Sequence, residues 1–375
     1  MSEQAPACTT LYRGLATALA CLCLASPAHA EEAPGPDPAT GPRLAFNGFG
    51  TFGLVHSSQQ GADYTFDNLQ PAGAGRSRDW SPDVDSRLGA QLTALWGPQW
   101  TAVLQLISEY RSDGSYSPYL NWANVKYAIT PDLSVRVGRI GLASFMASDS
   151  RRVGYANVTA RPPIEVYRLL ALKDSDGIDL VYRWQQGELK NSTTLLYGRK
   201  TVINTSGVHV HSHDVQGIFD TAEYRDWTFH LAYQTRDVDN QNPPLGKFMS
   251  LGVAYEPGDW FLSAEWARAA NYSAKGVLAV REAWYLNGGL RLGAFTPFAT
   301  LSQLSPLTST GTTPVAQTTA AAGLRWDFAA KRDLKLQLDH LWLGNGSWGT
   351  LENVAPGTPK GGQLDVFSVV LDFVF

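Results

Sequence analysis

Segments of about ten residues recur along this chain with side chains alternating between apolar and polar, the length a tilted strand needs to cross a bilayer. In Arg87 to Trp96, Leu88, Ala90, Leu92, Ala94 and Trp96 oppose Arg87, Gln91 and Thr93. Trp227 to Arg236, Ala320 to Phe328 and Leu334 to Leu341 repeat the pattern. Successive strand side chains point to opposite faces, so each segment carries one greasy face and one wet face. We place candidate strands near residues 50, 90, 105, 124, 136, 180, 195, 218, 231, 252, 264, 287, 300, 323, 338 and 369. Their connections alternate in length. Short ones include Gly97-Pro98-Gln99, Thr130-Pro131-Asp132, Gln185 to Lys190 and Arg225-Asp226. Long ones include His56 to Pro82, Gly141 to Ser175, Arg199 to Asp214, Asp237 to Gly246, Ala267 to Gly276, Ser305 to Ala316 and Gly344 to Gly362. A soluble sandwich has no reason to keep that rhythm. The expectation is an all-β, transmembrane antiparallel β-barrel of about sixteen strands, with short turns at one end and long loops at the other.

Composition agrees. Charged residues make up 17% of the chain against 11% aromatics, with 12 Trp, and about a quarter charged is usual for a soluble domain. A membrane protein without apolar helices must close into a barrel, because lipid cannot satisfy open backbone edges. Trp96, Trp100, Trp227, Trp260, Trp266, Trp284, Trp326 and Trp342 fall near strand ends and read as interfacial girdles. The net charge of −4 argues against a nucleic-acid binder.

The first thirty residues read as an export signal: Arg13, an apolar run from Gly14 to Ala25, and Ala28-His29-Ala30 ahead of Glu31. Cys21 offers a fainter lipoprotein alternative, with Ala18 where leucine is usual. Cys8, Cys21 and Cys23 all lie in this segment, so cleavage after Ala30 removes every thiol. Residues 31–43 are rich in proline and acid and read as a disordered periplasmic lead-in, with the barrel spanning 44–375. The last residues alternate, Phe367, Val369, Leu371, Phe373 and Phe375 sharing one parity against Ser368 and Asp372.

The passages Phe46-Asn47-Gly48-Phe49-Gly50-Thr51-Phe52-Gly53, Asp85-Ser86-Arg87-Leu88-Gly89, Trp122-Ala123-Asn124-Val125-Lys126-Tyr127 and Val135-Arg136-Val137-Gly138-Arg139, together with the aromatic ending, resemble the Gram-negative outer-membrane porins of the sixteen-stranded, general-diffusion type. The resemblance covers most of the chain. It implies a homotrimer in the outer membrane, among lipid and lipopolysaccharide, passing small hydrophilic solutes. It also implies that Phe375 is read by the barrel-assembly machinery. In such porins the third long loop folds into the lumen, which gives residues 141–175 that role here. This loop departs from the family's Pro-Glu-Phe-Gly-Gly type sequence and carries Arg161-Pro162-Pro163-Ile164-Glu165.

A barrel of this size encloses an aqueous channel. Charges in the loop (Asp149, Arg151, Arg152, Arg161, Glu165 and Arg168) would face wall charges chosen by parity: Arg87, Glu109, Lys126, Arg136, Arg139, Asp179, Arg183, Glu265, Arg291, Arg325, Lys335 and Asp339. Together they would set a transverse field across the pore. Arg136 and Arg139 differ in parity, which a bulge at Gly138 would reconcile. Arginine outnumbers acid in this set, so the reading leans to anion preference.

Two other functions stay open: a channel with a saturable solute site on the same barrel, and an outer-membrane hydrolase using a serine with His230 or His340. No nucleophile elbow, phosphate loop or zinc-protease motif supports the hydrolase, and no cofactor is expected. His209, His211 and His213 would point one way on an extended chain and offer a weak metal site; a plain polar loop is the simpler account. Asp237, Asp239, Asn240 and Asn242 suggest weak calcium binding, without EF-hand spacing.

Overall fold

A computed structural model describes residues 41–239, 245–273, 276–310 and 313–375. The expected signal peptide and nearly all of the lead-in lie outside these, as do Asn240 and Asn242. Among the described residues the wall consists of β1 (Arg43–Ser57), β2 (Arg87–Trp96), β3 (Trp100–Glu109), β4 (Tyr119–Ala128), β5 (Leu133–Gly141), β6 (Asp174–Gln186), β7 (Leu189–Ile203) and β8 (His209–Tyr224). It continues through β9 (Trp227–Val238), β10 (Leu245–Tyr255), β11 (Trp260–Ser273), β12 (Gly276–Leu290), β13 (Phe295–Ser309), β14 (Gln317–Ala329), β15 (Arg332–Leu343) and β16 (Gly362–Val374). Each strand pairs antiparallel with its neighbours in sequence, and β16 returns to β1, in register from Phe49↔Val374 to Ser57↔Val366. Every expected strand centre falls within one of these sixteen strands.

Closure explains the glycine-aromatic spelling of the first strand. Gly48 and Phe375 exchange both backbone hydrogen bonds, at 2.9 and 3.0 Å. The Phe375 and Phe373 rings lie over Gly48 and Gly50, where a Cβ would stand 2.0 and 2.3 Å from ring carbon. A side chain at either position would displace the ring that covers it.

The outward face is a belt of exposed Leu, Ile, Val and aromatic side chains such as Leu92, Leu104, Val137, Leu195, Leu231, Leu251, Leu301 and Leu338. Trp96, Trp100, Trp227, Trp260 and Trp326 stand 40–47% exposed beside the short turns. Such a surface is stable only against lipid. Asp220 interrupts it, sharing the parity of exposed Ile218, and accepts hydrogen bonds from Asn191 Nδ2 (2.9 Å) and Thr193 Oγ1 (2.6 Å).

Two expected loops prove largely to be strand. β7 runs to Ile203 and β8 begins at His209, and β11 runs to Ser273 with β12 beginning at Gly276; β9, β10 and β13 extend by shorter stretches into the segments assigned to loops. Beyond the lipid both faces of a hairpin meet water, so pairing persists where alternation is no longer required. His209, His211 and His213 therefore sit on a strand.

Candidate functional site: a loop across the barrel

Between Gly141 and Asp174 the chain leaves the wall for residues 142–173, then rejoins it on the adjacent strand. The loop bonds to inward-facing groups around the barrel, so it crosses the interior. Arg161 is its firmest polar anchor. Nε and Nη2 donate to both oxygens of Asp85 (3.0 and 2.6 Å), Nη1 to Asp339 and Tyr64 (3.2 Å each), and Nη2 also to Ser368 (2.6 Å). Burial pulls the guanidinium down, but Asp85, Tyr64 and Asp339 more than restore it and hold it charged. Burial likewise pushes the Tyr64 hydroxyl well above the usual tyrosine range.

Pro162-Pro163 then leads into one helical turn, α1 (Ile164–Tyr167), all four residues of which are buried. Proline's fixed φ suits the entry to a helix. Glu165 accepts from Ser302 (2.7 Å), Gln317 and Thr319 on β13 and β14. Upstream, wall cations hold the loop backbone directly. Lys335 Nζ donates to the Gly154 carbonyl (2.7 Å) and pairs with Asp372 (2.8 Å). Arg325 Nη1 donates to the Tyr155 and Asn157 carbonyls (2.8 and 3.0 Å). A Cβ on Gly154 would stand 1.8 Å from Asp372 Oδ1, so only glycine lets the chain lie this close.

The opposite wall holds the loop by apolar contact. Phe145, Val166, Tyr167, Leu170 and Leu172 pack with inward-facing Leu196, Phe219, Phe248, Tyr285 and Leu304. Phe145 stacks on Tyr167 at 4.7 Å and meets Phe248 edge-on at 5.0 Å. Glu265 accepts from the Met146 amide (2.9 Å) and the Tyr167 hydroxyl (3.1 Å) at the edge of this cluster.

The six loop charges thus have unequal surroundings. Arg161, Glu165 and Arg168 are anchors; Arg168 donates to Thr350 O (2.7 Å) and pairs with Glu352 (2.5 Å). Arg152 pairs with Glu109 at 3.0 Å. Arg151 lies between the Phe66 and Tyr167 rings. Asp149 is exposed and forms no hydrogen bond or ion pair among the described residues.

Among the wall residues, Arg325, Lys335 and Asp339 are buried against the loop, and Arg87 is buried beside Asp85 and over Phe66. Arg136 pairs with Asp179 through both carboxylate oxygens. Arg139 pairs with Asp176, and no register shift occurs at Gly138, whose φ is 126°; the expected bulge is absent. Arg291 lies past the end of β12, in the turn, bonded to Glu256 at 2.7 Å, so it is not a wall residue. Lys126 is half-buried and Arg183 exposed, neither with an ion pair among the described residues.

Sequence reasoning missed the answering carboxylates Asp85, Asp333 and Asp372, and the cations Arg236 and Arg281 beside the loop. Their inward parity was available, Asp372 conspicuously so in an otherwise apolar strand. The partners of Asp85 and Asp372, Arg161 and Lys335, lie far away in sequence and were not.

His209, His211 and His213 stack with ring centroids 6.3 Å apart rather than converging. Among the described residues no three His, Cys, Asp or Glu side chains are grouped to hold a metal. His230 bonds Thr221 (3.1 Å) and His340 bonds Asp365 (2.6 Å). Neither contacts a serine hydroxyl among the described residues, so the hydrolase arrangement is not formed.

A family model described as Gram-negative porin matches residues 16–345. The fold is similar to the anion-selective porin from Comamonas acidovorans, with a TM-score of 0.60 at 12% identity, covering 89% of this chain and 100% of that one. It is similar also to the trimer form of OmpT, an outer membrane protein of Vibrio cholerae (TM-score 0.58, 12% identity, 90% and 100% covered). Salmonella typhi OmpF gives 0.58 at 13% identity, with 89% and 98% covered. No curated protein sequence matches.

Proposed function

The chain belongs to the Gram-negative porin family, and from that membership we propose that its lumen loop fixes an eyelet whose unpaired cations favour anions. As a porin it is an outer-membrane channel, not an enzyme, through which small hydrophilic solutes and ions pass passively down their gradients. The observation that carries the selectivity reading is the uneven pairing inside the barrel. Most interior charges neutralise one another: Arg161 with Asp85 and Asp339, Arg152 with Glu109, Lys335 with Asp372, Arg136 with Asp179. Of the wall and loop charges that remain, Lys126, Arg183, Arg236 and Arg281 are inward cations without an ion pair among the described residues. Exposed Asp149 opposes them, and Glu165 and Glu265 likewise lack an ion pair among the described residues but are buried against neutral donors. A fixed surplus of positive charge in a narrow aqueous passage raises the local anion concentration.

The similarity to an anion-selective porin's fold fits this reading, and the similarity to a trimeric one supports a homotrimer. Residues 1–30 act as a cleaved export signal, supported by their apolar run and small-residue cleavage site, and residues 31–43 form the lead-in. Phe375 serves as the assembly signal, its exposed ring at the barrel seam consistent with recognition before closure. The outward apolar belt and its girdles meet lipid and lipopolysaccharide.

The decisive measurement is the zero-current potential of the purified protein in a planar bilayer across a potassium chloride gradient. We expect chloride to be more permeant than potassium. Preference for potassium would overturn the eyelet assignment while leaving the channel itself intact.

A further inference from the structure

We propose that the external mouth of the channel contains a binding site for a small aromatic carboxylate. The proposal rests on the porin reading, and it adds a saturable step ahead of the eyelet. A cavity of about 390 Å³ opens between the first two external loops, the lumen loop and the end of β7. That size suits a small organic solute rather than an ion alone. Its lining combines cations with the aromatic rings of Phe66, Tyr110 and Tyr119.

The cations are not equally available. Arg152 is held by Glu109 at 3.0 Å, while Lys173 is bound to Asp67 and Lys200 to Asp174. Each is largely buried with its partner. Arg111 differs. Its nearest carboxylate is Asp113 at 3.4 Å, and the two side chains are 33% and 50% exposed, so water weakens the pair. Its Nε is buried and donates to nothing among the described residues. That nitrogen is closed to a ligand, which would meet the terminal Nη groups of the partly exposed guanidinium instead.

Tyr119 fixes the orientation of this donor. The Arg111 guanidinium carbon lies 4.5 Å over the Tyr119 ring, and the Tyr119 hydroxyl is anchored on Glu109 at 2.6 Å. The guanidinium is therefore held by its face, with its edge left for acceptors. A carboxylate fits that edge, taking one N–H from each terminal Nη in a forked pair and displacing the weak contact to Asp113. The planar apolar body of an aromatic acid would then lie along the half-buried ring of Tyr110. A bare inorganic anion would satisfy the fork but leave that ring in water. An uncharged aromatic would cover the ring but leave the guanidinium edge unmet.

The test is calorimetric titration of benzoate, acetate and benzyl alcohol into the detergent-folded full chain at low salt, with single-channel conductance recorded on the same material. Benzoate should bind saturably and at least about ten-fold more tightly than the other two. Arg111→Gln should weaken benzoate about ten-fold, and Arg111→Lys, which keeps the charge but loses the fork, should fall between. Tyr119→Phe should stay within about two-fold, since the ring face remains. Arg225→Gln, on a short turn at the other end of the barrel, should bind as the parent does. Retained tight binding in Arg111→Gln, or equal affinity for acetate, would overturn the site. Loss of conductance steps in the parent would instead sink the channel reading, so the two failures are distinguishable.

Discussion

Towards β13 to β16 the lumen loop is held by charges and directed hydrogen bonds; towards β7 to β12 it is held by packed rings and aliphatic groups. On the first side Arg161, Glu165, Lys335 and Arg325 each meet two or more specific acceptors or donors. On the second, Phe145, Tyr167, Leu170 and Leu172 fill space against Phe219, Phe248 and Tyr285. Apolar burial is strong but tolerant of small shifts, whereas a forked ion pair is satisfied in only one geometry. The difference suggests a division of labour: the ring side supplies adhesion, and the charged side fixes how far the loop reaches across the pore. The charged side is also vulnerable, because losing one partner strands the others away from water.

The largest effect should come from Arg161→Met. It would leave Asp85 and Asp339 buried without their common partner, at a cost of about 3–5 kcal/mol in urea-induced unfolding of the refolded barrel. The freed loop should also raise single-channel conductance. Unchanged stability and step size would show that the charged side does not set the loop's position.

That prediction depends on contacts no local pattern reveals. The strands were legible because lipid imposes a parity on every crossing, so all sixteen centres could be read from alternation alone. Parity also placed Arg325, Lys335 and Asp339 on the inner face. It could not say that Lys335 reaches the Gly154 carbonyl, 181 residues away, or that Arg161 meets Ser368 across 207. Parity therefore could not tell which loop and wall charges pair with one another, as Arg152 does with Glu109 and Arg161 with Asp339. The apolar inner patch was hidden for a related reason. Inward Leu196, Phe219 and Phe248 look like breaks in a wet face until the loop that covers them is in place.

Phe145→Ala should test the ring side, costing about 3 kcal/mol by lost burial and the cavity left among Tyr167 and Phe248. With Arg161 intact, mean conductance should hardly change while current noise grows. A conductance increase as large as that of Arg161→Met would erase the proposed division of labour. Glu165→Gln is milder, since it keeps the shape and one acceptor oxygen. It should cost about 1.5 kcal/mol, because Ser302 donates to one carboxylate oxygen and Gln317 and Thr319 to the other, and the amide leaves one side without its acceptor.

The smallest effect on stability, and the most specific one on transport, belongs to Lys126→Gln combined with Arg183→Gln. Neither cation holds the loop or has an ion pair among the described residues, so unfolding should shift by no more than about 0.5 kcal/mol. If selectivity came from the anchored charges, the double variant would keep the parent's zero-current potential in a chloride gradient, because every clamp is still present. If it comes from charges left unpaired, removing two of the four inward cations should move that potential clearly towards zero. Adding Asp149→Asn should then move it back towards anion preference, since the opposing carboxylate is gone. A potential that ignored all three substitutions would place the selectivity in the clamps after all, and the charged side would have to do more than position the loop.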